Sequence, residues 1–182
     1  MARPRQIDRA GILEASLAIA DERGLDAVTM QAVADRLGVT PMALYRHVKN
    51  KADLLDGLVE TLLAEFALGT DDLPWDEQLA AFGRGVRASA RRHPGAFALV
   101  LQLPASTPEA RKTRERVYLA LQQFGVAEAD IPRAERLIST LVLGFAASEA
   151  AGRFRGHSRA VIDADYAALE ELVGTYLAGL IA

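Results

Sequence analysis

Between Thr29 and Val48 the chain leaves room for one kind of local fold. The segment "TMQAVADRLGVTPMALYRHV" carries two helix-capping threonines, a glycine and a first-turn proline in close succession. Thr29 is placed to cap a short helix with Val33, Ala34 and Leu37 facing inward, and Gly38 to stop it. Thr40 then caps a second helix, with Pro41 where a missing N–H costs nothing. Ala34 precedes Gly38 by four positions, which sets a small residue where two helices touch and a glycine where the turn is tightest. Val33, Leu37, Val39 and Leu44 complete a small core, so the pattern reads as a helix-turn-helix.

The same apolar spacing of three and four residues runs through the rest of the chain, and no sustained alternation competes with it. Asp8 caps a first helix with Ile12, Ala15, Ser16 and Ile19 inward, ended by Gly24. A helix from about Lys51 carries Leu54, Leu55, Leu58, Leu62 and Phe66. The stretch "LGTDDLPWDEQ", with Gly69, is read as a linker. A helix from about Asp76 to Arg92 stops at His93-Pro94, a short "AFALVLQL" helix leads to Pro104, and Thr107-Pro108 restarts the chain on a helix with Val117, Ala120, Leu121 and Phe124 on one face. Asp130 opens a long helix to about Ala151, apolar around most of its girth, which predicts burial on several sides. "GRFRGHSR" is a loop, and Asp163 or Asp165 opens the last helix. The expected fold is all-α with about nine helices: residues 1–50 as a three-helix helix-turn-helix domain, and residues 51–182 as a helical domain for ligand binding and dimerisation.

Composition narrows the chemistry. There is no cysteine and only three histidines, scattered along the chain, which argues against thiolate chemistry and a metal site. Neither a Gly-rich phosphate loop nor a Gly-x-Ser-x-Gly turn is present, so the chain is expected to be no enzyme and to need no cofactor. No apolar run approaches the roughly 20 residues that span a bilayer, and the first residues lack a secretory apolar stretch; a soluble, cytoplasmic protein with no membrane partner is expected. The net charge of −3 hides an asymmetry: residues 1–52 hold 8 Lys and Arg against 6 Asp and Glu, the remainder 13 against 18. A mildly basic head sits on an acidic body.

Setting Leu44 and Val48 toward the core of the second helix, at about 100° per residue, turns Met42, Ala43 and Arg46 outward, flanked by Tyr45 and His47. Such a face fits a DNA major groove: Arg46 offers a bidentate fork to guanine, Met42 or Ala43 apolar contact to a thymine methyl, and the flanking pair reaches the phosphate walls. For His47 an ordinary surface position stands beside the phosphate role. Helix N-termini at Thr29, Thr40 and Lys51 add N–H groups that attract phosphate without net charge. The terminal "ARPRQ" is either a basic arm for a minor groove or a plain terminus.

Residues 8–62, most sharply "LDAVTMQAVADRLGVTPMALYRHVKNKADLLDGL", resemble the DNA-binding head of the TetR family of transcriptional regulators, and "HVKNK" is especially similar to its tetracycline-repressor subgroup. The resemblance implies a homodimer whose heads read a palindromic double-stranded DNA operator, and a body that binds a small-molecule effector. By motif position it implies phosphate contacts at Thr29, Tyr45, His47 and Lys51, and base-facing positions at Gln31, Thr40, Pro41, Met42 and Ala43. Arg46 stands where that subgroup has tryptophan, so its role rests on the helical wheel alone.

The expected function is a ligand-responsive transcriptional regulator, a repressor released from its operator by the effector. An activator or an inducer-independent DNA-binding protein, and a helical carrier or enzyme with a vestigial head, stand as alternatives. Candidate effector contacts are Gln102, Tyr118, Gln122 and Glu149. Glu149 has three readings: paired across a dimer interface, exposed at a helix end, or aimed at a ligand. Arg111, Lys112, Arg114 and Arg116 are read as a solvated face. Gly144, Ala146, Ala147 and Ala150 would let another helix approach closely, so the last two long helices are expected to pair with a second copy.

Overall fold

The computed structural model describes residues 7–66, 73–102 and 108–181. Among them the regular elements are all helical, as expected: nine α-helices and one short 3-10 turn at Leu25–Ala27. The arm at residues 2–6, Gly69 of the linker, Pro104 and Thr107 lie outside the described residues.

Helix α1 (Arg9–Arg23) begins where the Asp8 carboxylate accepts from the Gly11 N–H at 2.8 Å, and ends at Gly24 with φ 83°. Ser16 sits on its buried face at no polar penalty, since its hydroxyl donates to the Ile12 carbonyl at 2.8 Å. Helix α2 (Met30–Leu37) is capped by Thr29, whose Oγ1 accepts from the Ala32 N–H at 3.1 Å. Gly38, at φ 69°, closes it with paired bonds, Val39 N–H to Ala34 C=O and Gly38 N–H to Asp35 C=O at 3.0 and 3.2 Å. The expected Ala34–Gly38 turn is thus a bonded helix stop.

Helix α3 (Pro41–Leu44) is shorter than the wheel supposed. The Tyr45 N–H reaches the Pro41 carbonyl at a long 3.4 Å and the His47 N–H turns back to Leu44 at 2.8 Å, so residues 45–47 form tight turns. Thr40 holds the cap position with extended backbone, but its side chain makes no capping bond. The reason is local: Pro41 has no N–H, and the Ala43 N–H is taken by Thr40's own carbonyl at 2.9 Å. Leu44 and Val48 are nevertheless buried as expected.

Helix α4 (Lys51–Ala64) is capped by Asn50, which accepts from the Asp53 N–H at 2.9 Å. It packs on α1 and also on two helices of the body, so one continuous core runs from Ile12 to Leu177. That body consists of α5 (Trp75–Arg92), α6 (Leu99–Gln102), α7 (Pro108–Phe124), α8 (Ile131–Ala150) and α9 (Arg159–Ile181), with α5 packed on α7 and α8, and α9 on α8. Acidic Asp76 and Glu77 at the start of α5, and Arg91 and Arg92 at its end, complement its dipole. Helix α6 starts three residues later than "AFALVLQL" suggested, because residues 94–98 form turns that bury Ala96 and Phe97.

One expectation for the last helices is corrected. Helix α9 begins at Arg159, ahead of Asp163 and Asp165; the Ser158 hydroxyl accepts from the Val161 N–H at 3.4 Å, while Asp163 is engaged by arginines of α5. Helix α8 is buried on several sides, as expected, against α5, α7 and α9, while Leu137 and Leu141 remain 44 and 41 % exposed in the single chain. Ala146 is fully buried in the chain's own core, Ala147 and Ala150 are half-buried, and a side chain added at Gly144 would meet open space.

Candidate nucleic-acid interface and ligand cavity

Of the residues expected to meet DNA, Thr29, Gln31, Thr40, Met42, Tyr45, Arg46, His47 and Lys51 are exposed, and Pro41 and Ala43 are half-buried. Met42 decides how this surface is read. It is 75 % exposed beside the fully buried Leu44, so the one-turn helix turns a bulky apolar side chain to solvent. The Thr29 hydroxyl accepts as a cap and keeps its proton for another acceptor. Gln31 is partly occupied, donating to Asp35 at 2.7 Å.

The turn that presents these groups is braced from a distance. Arg9 donates to both carboxylate oxygens of Asp53 at 2.8 and 3.2 Å and to the His47 carbonyl at 3.1 Å, and Asp53 also accepts from the Lys49 N–H at 2.7 Å. The hydrogen bond from Arg9, helped by that from the Lys49 backbone, holds the Asp53 carboxyl below the usual range. Arg36 and Glu22 join α2 to α1 through two bonds of 2.7 Å. No local pattern could have marked Arg9 or Asp53, because the partners are far apart in sequence and each looks like an ordinary surface charge.

In the body, two adjacent cavities of about 110 and 150 Å³ share Phe82, Val117, Ile138, Ser139 and Val142 as a common wall. The smaller is bounded by α4, α5, α6, α7 and α8, the larger by α5, α7, α8 and α9. Trp75 lines the larger and is stacked on Phe124 with ring centroids 3.7 Å apart. Beside them, Arg87 and Arg91 converge on Glu149 at 2.7 Å each, and both also reach Asp163 at 2.8 and 2.7 Å. The Arg87 guanidinium lies over the rings of Tyr166 and Phe145, 4.5 and 5.6 Å from their centroids. Burial alone would raise the Glu149 pKa, but the bonds from the two arginines prevail and lower it.

Residues 12–58 match the bacterial regulatory proteins of the tetR family, and residues 79–176 match the tetracyclin repressor-like C-terminal domain, over half of the chain. The chain belongs to the TetR family. An HTH-type transcriptional regulator of Saccharopolyspora erythraea is 32 % identical over 143 residues, covering 78 % of this chain and 61 % of the relative. The transcriptional repressor DrrR1 of Streptomyces coeruleorubidus is 31 % identical over 140 residues, covering 76 % and 52 %. The chain therefore spans between half and two thirds of the length of these curated relatives. Among solved structures, BioQ with its double-stranded DNA operator is 29 % identical with a TM-score of 0.78, covering 96 % of this chain and 99 % of BioQ. A TetR of Acinetobacter baumannii in complex with minocycline is 25 % identical with a TM-score of 0.77, covering 96 % of each chain.

The four residues expected to contact the effector lie away from the two cavities. None of Gln102, Tyr118, Gln122 and Glu149 lines either cavity. Gln102 and Gln122 face solvent, and Tyr118 packs half-buried on the core. Gln122 stands one step from the inward Leu121, about 100° round the helix, which is enough to turn it outward. Glu149 matches none of its three readings, since its partners are arginines of the same chain. The cavity residues that sequence reasoning missed, Tyr166 and Gly83, gave no signal, because a tyrosine on an apolar stripe and a glycine inside a helix look alike whether or not they border a void. Among the described residues no acidic or histidine cluster could hold a metal, and no helix is long and apolar enough to cross a membrane.

Proposed function

We propose that this protein is a homodimeric, ligand-responsive transcriptional repressor that acts on a palindromic double-stranded DNA operator in the cytoplasm. The observation that carries the reading is the exposed face from Thr40 to Lys51, with Met42 and Tyr45 turned to solvent on a turn braced by Arg9 and Asp53. In this reading Thr29, Tyr45, His47 and Lys51 hold phosphates, while Gln31, Thr40, Pro41, Met42, Ala43 and Arg46 face bases. The operator-bound BioQ and the named repressors among the relatives support it.

A second copy is supported by α9, where only Tyr166 and Leu177 are fully buried and Leu172 is 56 % exposed, alongside the exposed Leu137 and Leu141 of α8. Two heads in a fixed frame would meet half-sites about 34 Å apart or a multiple of that. Effector in the body cavity weakens DNA binding only to the extent that it prefers a frame in which the heads are mis-spaced. The domain division at residue 50 is kept as a functional one, with α4 as the lever between head and body.

Selection of bound sequences from a random duplex pool is the test. A palindromic consensus is expected, with affinity falling about 10³ to 10⁵ between roughly 50 and 200 mM salt if a dimer makes about 6–10 phosphate contacts. Recovery of no consensus together with a flat salt response would sink the proposal.

A further inference from the structure

We propose that the larger cavity is a subsite for a neutral aromatic alcohol, whose hydroxyl is held between Tyr166 and Glu170. The inference rests on the effector-binding reading above and gives that effector a chemistry. Tyr166 is 3 % exposed, and its hydroxyl finds no hydrogen-bond partner. One helical turn later, Glu170 Oε1 is likewise buried without a hydrogen bond; the nearest cation, Arg84 Nη1, lies 4.0 Å away, beyond bonding distance. Both residues line the same cavity. A buried donor and a buried acceptor without hydrogen bonds on one cavity wall carry a desolvation penalty, which the Arg84 charge at 4.0 Å offsets only in part for Glu170.

A single ligand hydroxyl satisfies both, since it can accept from the tyrosine and donate to the carboxylate. Burial pushes Tyr166 up to about 12, so its phenol remains a donor throughout the physiological range. The remaining wall is apolar and aromatic, with Trp75, Leu79, Phe82, Leu169 and Val173. Its volume of about 150 Å³ matches that of apolar cavities that hold a single benzene ring. The adjoining cavity of about 110 Å³ lies just across Phe82 and Val142.

Charge excludes the acids of the same shape. Asp76 and Glu170 border the larger cavity, while Glu135 and Arg114 border the smaller, a net acidic lining that repels a carboxylate or phosphate. Gly83 keeps the wall open. A Cβ built there would come within 2.8 Å of the Tyr166 hydroxyl.

The test is calorimetric titration of the DNA-free protein with 2-naphthol, naphthalene and 2-naphthoate, with fluorescence of Trp75, the sole tryptophan, as a second readout. 2-Naphthol is expected to bind at least about ten-fold more tightly than either analogue, the difference one well-placed polar contact makes. Tyr166→Phe should bring 2-naphthol down to the affinity of naphthalene and leave naphthalene unchanged. That variant should melt no lower than the parent, because the hydroxyl it removes has no partner. Gly83→Ala should weaken both 2-naphthol and naphthalene. Equal affinity for 2-naphthol and naphthalene, undiminished 2-naphthol binding by folded Tyr166→Phe, or 2-naphthoate bound as tightly as 2-naphthol would each overturn the subsite. Operator binding is measured separately, so failure of the regulator reading leaves this result standing, and the reverse.

Discussion

His93 Nδ1 lies 2.8 Å from Asp21 Oδ2, so the first residue after α5 in the body is bonded to the end of α1 in the head. The other imidazole nitrogen is 3.3 Å from Glu65 Oε1, just past the end of α4, and Arg92 reaches the same carboxylate at 3.1 Å. Two residues on, the Gly95 N–H donates to Asp21 Oδ1 at 3.1 Å. Body, head and connecting helix therefore meet at one corner, and a shift of α5 is felt by α1 and α4 together.

Gly95→Ala tests how tightly that corner is packed. Its Cβ would collide with the Ala20 carbonyl, a backbone atom that cannot swing away. The variant should lose about 1–3 kcal/mol, seen as a lower urea midpoint at an unchanged slope. Gly156→Ala, where an added Cβ meets nothing within 4 Å, is the neutral control.

For the head, Tyr45→Ala and Lys51→Ala should weaken binding to every duplex alike, and Lys51→Ala should flatten the salt slope by about 1. Arg46→Ala should instead lose about 1–3 kcal/mol at a single base position and relax the consensus there. Competition titrations against a set of single-base operator variants separate the two patterns. Uniform loss by Arg46→Ala would show that this side chain meets phosphate.

Asp53 makes the brace acid-sensitive in a defined direction. Its folded pKa is depressed by Arg9, so its contribution is fully present above the unfolded value of about 3.9 and is lost as pH falls through the lower folded value. The parent should therefore lose stability more steeply than Asp53→Asn below about pH 4. Denaturant titrations at a series of pH values read the difference, and parallel curves would show the brace contributes nothing.

Glu149→Gln would leave Arg87, 7 % exposed, without its carboxylate neighbour on α8. Removing one partner of a buried pair typically destabilises by about 3 kcal/mol or more. Chemical denaturation should report a loss of that order, reduced by whatever Asp163 retains of the network. A loss under about 0.5 kcal/mol would mean the arginines find water instead.

Replacing Leu172 and Leu141 together by Glu should turn a dimer into a monomer while helical content is retained, since both side chains are already exposed in the single chain. Sedimentation equilibrium reads the mass directly. A dimer that survives both changes would place its interface elsewhere.

Much of this was legible because it is local. Caps at Asp8 and Thr29, the Gly38 stop and the inward set Val33, Leu44 and Val48 follow from spacing alone, and the structure agrees on each. What escaped depends on partners distant in the chain. Asp163 looked like a cap because acids often are, yet arginines from α5 claim it. Glu149 looked unpaired within its apolar helix because Arg87 and Arg91 lie three helices earlier. The cavity was invisible because a void is a property of several facing helices and of no single one, and so the polar residues chosen by eye missed it.

The sparse inward face of α9 has a quantitative consequence. If that helix completes its packing only against a second copy, each half of the dimer is a single-headed protein whenever protomers are dilute. Occupancy of a palindromic site then rises with the square of protomer concentration below the dimer dissociation constant, since stability and assembly are linked by mass action. A cell would pass from an open to a closed operator over a narrow range of protein abundance, before any effector is present.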